Sequence, residues 1–399
     1  MPDPTPDQME IKLNRFLAPR VSGLEASASV AAANQLLTAV PGKFLQTSMH
    51  DGEPDIGPPD HVVRATIGAL QRGKTKYDHL NGLIQLREAI CDKLFTDHSL
   101  DASPDELLVS NGSSQSIYQF IQCFVSPGDQ VLVPNPAWPS YVQFVRLAGG
   151  EPVGYSMIDG FSVAEIEAAI TPSTRLLIIN SPHNPTGSVI AKDDLTRLGE
   201  LAELHDFLVL CDDAYEVFVN SPSDRASLAS AAPCAKDRIV TARSFSKTYG
   251  MTGYRIGYLH GSRDIVDRCA AMQTHLSDNV CTFAQYGALA ALELGAAEEE
   301  TRRSIFLARL ATAYSLIEGT LPCLRPRGAF YLFPSIESAL ARMSLSESEF
   351  VSLLARDTGV TVQPGRHFGM EGFIRISVAA TDVEETRRGV GKILDFIGR

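Results

Sequence analysis

Six short apolar runs, separated by stretches with helical spacing, constrain this chain more than any other feature. ELLVS (106–110), QVLVP (130–134), RLLIIN (175–180), FLVLCD (207–212), RIVTA (238–242) and RIGYL (255–259) are too short for buried helices and rich in residues that fill a pleated interior. Between them, segments such as 114–125, 163–170 and 193–205 place apolar residues at helical intervals. Strand, helix, strand, repeated in this way, predicts an α/β fold whose mostly parallel sheet is covered on both faces. Open sheets of that kind bind ligands at the carboxyl ends of their strands. The residues that follow each run are therefore the first place to look for chemistry.

From about Phe283 the texture changes. An Ala-, Leu- and Glu-rich helical stretch runs to about Gly319, short strands are expected near 329–333, 360–363 and 373–378, and a helix over 382–397 follows. These segments predict a smaller α+β domain, and 399 residues suffice for two domains. The expected division is an N-terminal arm with part of the small domain over 1–50, a large domain over 51–288 and the small domain over 289–399. A net charge of −12 argues against broad nucleic-acid or anionic-membrane partners. The first residues, MPDPTPDQME, have neither the basic nor the apolar region of a secretory signal, and the most apolar stretch, 280–297, is interrupted by Gln285, Tyr286 and Glu293. The cytoplasm is the expected address. Seven cysteines without CxxC spacing or histidine companions are expected to be reduced, mostly buried thiols, with no metal site.

The most informative segment is Ser244-Phe-Ser-Lys-Thr-Tyr-Gly-Met-Thr-Gly-Tyr-Arg-Ile-Gly257, a loop between two expected strands. A lysine flanked by Ser244 and Ser246 and followed eight residues later by Arg255 suits a phosphorylated aldehyde. The Lys247 amine forms an imine, while hydroxyls and a guanidinium hold the phosphate through charge-assisted bonds. A lysine and an arginine alone would describe any solvated loop. The complete string resembles the cofactor-lysine signature of the fold-type I pyridoxal-phosphate (PLP) enzymes, in the class I/II aminotransferase family.

That resemblance implies an aspartate aminotransferase-like fold with PLP held as a Schiff base on Lys247, and it extends to further motifs along the chain. In LVLCDDAYE, Asp212 would pair with the pyridine nitrogen and Tyr215 would donate to the ring's phenolic oxygen. Asn184, in NSPHNPTG, would bond the same oxygen. Gly112, Ser113 and Ser114, between a strand and a helix, match the family's phosphate loop, where backbone N–H groups and the helix dipole hold an anion. Trp138 stands where the family stacks an aromatic ring on the cofactor. Arg375, in GFIRIS, matches the arginine that grips a substrate α-carboxylate, and Gly52, in DGEPD, the glycine that approaches the substrate. Tyr77 resembles the tyrosine that reaches a neighbouring subunit's phosphate, which implies a homodimer with shared active sites.

The activity implied is transfer of an amino group between an L-amino acid and a 2-oxo acid, with Lys247, Asp212 and Tyr215 as the catalytic groups. Some positions depart from the family pattern: His50 and Asp51 before GEPD, His79 where proline is common, and Arg366 where a small residue is usual. Together they suggest a charged substrate entrance. They leave open β- or γ-elimination or replacement on a polar amino acid, as in specialised metabolism, by the same lysine and cofactor. A non-catalytic PLP-fold regulator is a third reading, against which stands the lack of a basic DNA-binding extension.

Overall fold

The apolar runs become strands of one seven-stranded sheet. The computed structural model describes residues 16–24 and 47–398, so most of the expected N-terminal arm lies outside the described residues. After a two-residue strand β1 (Thr47–Ser48), the large sheet is built from β2 (Leu107–Ser110), β3 (Gln130–Asn135), β4 (Glu151–Ser156), β5 (Thr174–Asn180), β6 (Leu208–Asp212), β7 (Ile239–Ser244) and β8 (Gly257–His260). Their spatial order is β2-β8-β7-β6-β5-β3-β4. Strands β3 to β7 pair in parallel, while β8 lies antiparallel to both β7 and β2. The run 255–259 therefore starts its strand only at Gly257 and reverses the sheet direction. The reason lies in its connection: residues 245–256 form a one-turn helix and a 3-10 turn rather than a crossover helix, so the chain turns back at the same sheet edge.

The runs are continuously apolar because both faces are covered. Leu176 and Ile178 of β5 enter a core with Val131, Val133, Phe120 and Ile121, whereas their neighbours Leu177 and Ile179 enter the opposite core with Leu198, Leu201 and Phe207. Alternate side chains of one strand thus stabilise two layers of helices. Strand β4 escaped the sequence reading. It is the outermost strand, its residues are largely half-exposed, and EPVGYS carries neither an apolar run nor clean alternation.

The remaining strands are β9 (Tyr331–Leu332), β10 (Val360–Thr361), β11 (Gln363–Pro364) and β12 (Ile374–Ser377). β11, β12 and β9 form an antiparallel sheet, and β1 pairs in parallel with β10. Phe306, Leu310, Phe350, Ile376, Val390 and Phe396 share the core beneath them. The helical stretch expected from 283 to 319 is two helices, Thr282–Leu292 and Ala296–Ile317, interrupted around Gly295. The first packs on the Asp60–Gln71 helix and the second on the Val383–Ile397 helix, so the break separates two packing partners.

Beneath the carboxyl end of β6 lies a buried ionic cluster. Arg243 Nε donates to Glu216 at 2.8 Å and its Nη2 to Asp213 at 3.0 Å, with His98 Nε2 3.0 Å from Glu216. Burial alone would raise the Glu216 carboxyl; Arg243 and then His98 outweigh it and hold Glu216 well below the usual carboxylate range. All seven cysteines are free, yet only Cys211 and Cys269 are buried, and Cys234 and Cys281 are exposed, contrary to the expectation of mostly buried thiols. Among the described residues no helix is long and apolar enough to cross a membrane.

Candidate active site

The parallel strands end at one edge of the sheet, and each delivers polar residues there. Asn111 to Ser114 follow β2, Trp138 follows β3, Asn180 and Asn184 leave β5, Asp212 and Tyr215 leave β6, and Ser244 to Lys247 leave β7. Arg255 joins them because β8 runs the other way and begins where its neighbours end. From the small sheet, β12 adds Arg375 and β9 adds Tyr331. Together with the segment 51–53 they enclose a cavity of about 320 Å³.

Lys247 lies half-buried in its wall and donates from Nζ to the Gly52 carbonyl at 2.6 Å. Burial, then the nearby Arg375 charge, lowers its amine to about 8. At pH 7 roughly one amine in ten is then neutral, against fewer than roughly one in a thousand at the ordinary lysine value. The lysine is thereby poised to act as a nucleophile and a base.

Asp212, fully buried at the end of β6, receives the Tyr141 hydroxyl at 2.6 Å on Oδ2 and the Ala214 N–H at 3.2 Å on Oδ1. Burial raises its carboxyl, and those two hydrogen bonds and Lys247 offset the rise only in part. Such a carboxylate gains most from a cation placed before it, for example a protonated pyridine nitrogen. Asn180 sets the neighbouring loops: its Nδ2 donates to the Asp212 carbonyl and its Oδ1 accepts from the Asn184 N–H, both at 2.8 Å. Tyr215 shares a 3.0 Å hydrogen bond with Tyr331, and burial, then Tyr331, keeps its phenol far above the usual range and so protonated. Trp138 lines the cavity and meets Tyr141 edge-on at 5.2 Å.

At the other end of the cavity the Ser113–Phe124 helix begins at Gly112 without a side-chain cap. Its first N–H groups, with Ser113, Ser114, Ser244, Ser246 and Arg255, form a cluster of donors suited to an anion. Backbone geometry fixes this cradle. A Cβ on Gly112 would stand 2.5 Å from Arg255 Nη2, and one on Gly257 would stand 2.4 Å from the Ser113 nitrogen. Arg255 itself adopts φ 55°, a left-handed conformation that side-chain-bearing residues rarely keep without a compensating role.

Arg375 donates from Nη1 to Asn184 Oδ1 at 3.1 Å and from Nη2 to the His50 carbonyl at 2.7 Å. Its guanidinium rests over Tyr331 at 4.4 Å and Phe368 at 4.9 Å, while its buried Nε has no partner among the described residues. Arg375 lines the cavity, and a guanidinium with one donor still unpaired suits a ligand carboxylate. The residues present therefore suit PLP and an amino acid together: an amine, a phosphate cradle, a buried carboxylate, two phenols, an aromatic wall and a carboxylate-binding arginine.

Every cofactor or substrate residue expected from the sequence, apart from Gly112 and Tyr77, lines this one cavity. Gly112 lies directly behind it, and Tyr77 is 84% exposed on a loop and does not touch it. The expected charged entrance needs correction. The His50 ring turns away to Ser48 and Thr361, Arg366 pairs with Ser348 and Glu347, and exposed His79 caps its own loop at Asn81. Of the departures only Asp51 lines the cavity. Tyr141, Asn180 and Tyr331 were missed. Asn180 opens the NSPHNPTG string and ends β5, which was the available signal, whereas Tyr141 lies in the Ser140–Ala148 helix three residues after Trp138.

Comparison with known proteins agrees with this geometry. The family model "Aminotransferase class I and II" matches residues 46–393. The chain is 34% identical to an aspartate aminotransferase of Bacillus subtilis, over 96% of this chain and 98% of that one. It is 36% identical to aromatic-amino-acid aminotransferase 2 of Thermococcus litoralis, over 87% of this chain and 91% of that one. Among solved structures, the aspartate aminotransferase of Thermus thermophilus with maleate superposes with a TM-score of 0.88 at 31% identity, covering 95% of this chain and 99% of that one.

Proposed function

The chain belongs to the class I and II aminotransferase family and is a PLP-dependent aminotransferase, and from that premise we propose how its own residues divide the work. The elimination and replacement reading is not favoured by these relatives. Lys247 would carry PLP through Nζ, with Asp212 at the ring nitrogen, Tyr215 and Asn184 at the phenolic oxygen, Trp138 against the ring, and Gly112, Ser113, Ser114, Ser244, Ser246 and Arg255 around the phosphate. When bound, PLP supplies an electron sink for a carbanion at the substrate α-carbon.

The residues do the rest. Arg375 fixes the substrate α-carboxylate through its guanidinium and so turns the α-carbon toward Lys247. Lys247 Nζ, lowered to about 8, takes the α-proton in its neutral form and holds it for return. Asp212 would hold its negative charge at the ring nitrogen, and Tyr141 keeps one of its oxygens oriented. Asn184 bridges the two halves of the site: its Oδ1 accepts from Arg375, which leaves its Nδ2 to donate into the cavity. The observation that carries this assignment is the convergence of Lys247, Asp212 and Arg375 on one cavity from β7, β6 and β12.

The functional unit we propose is a homodimer. Its support is a stripe of exposed Val63, Ile67 and Leu70 along the Asp60–Gln71 helix, close in sequence to exposed Tyr77, whose hydroxyl would complete a partner's phosphate cradle. A cytoplasmic setting suits seven free cysteines.

The test is purified protein reconstituted with PLP and supplied with single amino acids. Loss of the cofactor's absorbance on adding a donor, recovery on adding a 2-oxo acid, and stoichiometric formation of the new amino acid are expected. Release of ammonia without an acceptor would refute the assignment.

A further inference from the structure

Three consecutive residues, His50, Asp51 and Gly52, run between the group that anchors a substrate and the group that reacts with it. The His50 carbonyl accepts from Arg375 at 2.7 Å and the Gly52 carbonyl accepts from Lys247 at 2.6 Å. Asp51 sits between these two contacts and lines the same cavity. Among the described residues its carboxylate makes no ion pair, and its one hydrogen bond is to the neighbouring Gly52 N–H at 3.2 Å. An unpaired carboxylate in the wall of a binding cavity selects what enters.

The charge inventory of the cavity sharpens this. Its cations are Lys247, Arg255 and Arg375, and the functional reading above already uses each of them, for the reacting amine, the phosphate and the α-carboxylate. Its other acids are Glu53, which is hydrogen-bonded to Thr252, and Asp212, which is held by Tyr141. The described residues of this chain leave no further cation for a second substrate carboxylate, and they leave in the cavity wall one carboxylate without an ion pair, whose charge already favours the ammonium form of Lys247. A dicarboxylic donor would set like charge against Asp51 in a partly desolvated cleft. A donor with an amino or guanidino group on its side chain would complete the pair.

We propose that Asp51 is a specificity-determining residue, and that the amino donor of this enzyme carries a cationic side chain. The inference rests on the aminotransferase reading of the same cavity and concerns which amino acid it accepts. It differs from the substrate in the name of the Bacillus subtilis relative, whose name specifies aspartate.

The experiment is a single-turnover half-reaction of the PLP-loaded enzyme, followed by cofactor absorbance without an acceptor. Ornithine, lysine and arginine are compared with aspartate and glutamate, and norleucine serves as an uncharged match for lysine. The cationic donors are expected to exceed the dicarboxylic ones at least tenfold in kcat/KM. Asp51→Asn is expected to collapse that ratio at least tenfold, mainly through KM, while Asp51→Glu retains the direction of preference. Melting temperatures of both variants establish that they fold. A wild-type preference for aspartate or glutamate overturns the proposal, as does a ratio that Asp51→Asn moves less than twofold. A holoenzyme whose spectrum responds to no amino acid overturns the aminotransferase reading instead, a result distinct from a reversed preference.

Discussion

Replacing Tyr141 by Phe removes a single oxygen, the one that donates to Asp212 at 2.6 Å. Both groups are buried, so their hydrogen bond is weakly screened, and Asp212 Oδ2 loses a charge-assisted bond worth about 1.5–3 kcal/mol. Burial already raises the Asp212 carboxyl, and the Tyr141 hydroxyl is the largest influence opposing it. At 1.36 kcal/mol per pH unit, Tyr141→Phe lifts that carboxyl by roughly one to two pH units. The sign follows from the charge required. Only ionised Asp212 can keep the cofactor ring protonated, so the acid limb of the half-reaction moves upward, and activity below it falls roughly ten- to hundredfold. Above that limb the loss is smaller. The assay is stopped-flow cofactor absorbance with a saturating donor across pH, alongside the cofactor dissociation constant. A merely structural hydroxyl would lower the melting temperature and leave the limb in place. An acid limb within about 0.3 pH units of wild type would refute the role assigned to Tyr141.

Other sites yield equally direct expectations. In apoprotein, Lys247 has its amine lowered from 10.5 to about 8, so its contribution to stability is full above the unfolded value and is lost as pH falls through about 8. Lys247→Met apoprotein is therefore expected to gain ~3 kcal/mol on wild type between pH 10 and pH 7, read from melting curves, and an equal difference at both pH values would contradict it. Gly257→Ala places a methyl 2.4 Å from the Ser113 nitrogen and 2.7 Å from the Arg243 carbonyl, neither of which can rotate away. It should displace the phosphate loop and weaken PLP binding by roughly tenfold or more, measured by dialysis and absorbance. Arg243→Met leaves Asp213 without its ion-pair partner and Glu216 with only His98 and Arg225, and should cost about 3–5 kcal/mol in denaturant unfolding, far more than replacing an exposed arginine such as Arg197.

Much of this architecture was legible in the chain, for physical reasons that also mark the limits. Central strands such as β5 bury both faces, so their composition alone reveals them, and the residue just beyond each run inherits a place at the binding edge. That placement drew attention to Asp212, Asn184 and Lys247, and the resemblance to the PLP enzymes supplied their roles. Edge strand β4 buries little and left no such signature. The direction of β8 was illegible because side-chain periodicity is the same in parallel and antiparallel strands. Tyr331 reaches Tyr215 across 116 positions of sequence, a contact that no local pattern announces. His50 and Arg366 show the converse error: unusual residues near a motif were read as facing the site, but each has partners elsewhere.

The lysine–glycine contact joins residues 195 positions apart, and the arginine that meets His50 lies 325 positions further along the chain. The cavity thus assembles only when both ends of the polypeptide have found each other, after the loop-closure entropy of nearly the whole molecule has been spent. Partly folded intermediates have no complete place for the cofactor. The yellow colour that PLP acquires on its lysine should consequently return last during refolding, after helical signal and compaction. Excess cofactor should also shift the unfolding equilibrium by mass action, about 2.7 kcal/mol at a hundredfold excess over its dissociation constant. For this chain the cofactor is also a gauge of completed folding, sensitive to damage around residue 50 or residue 375.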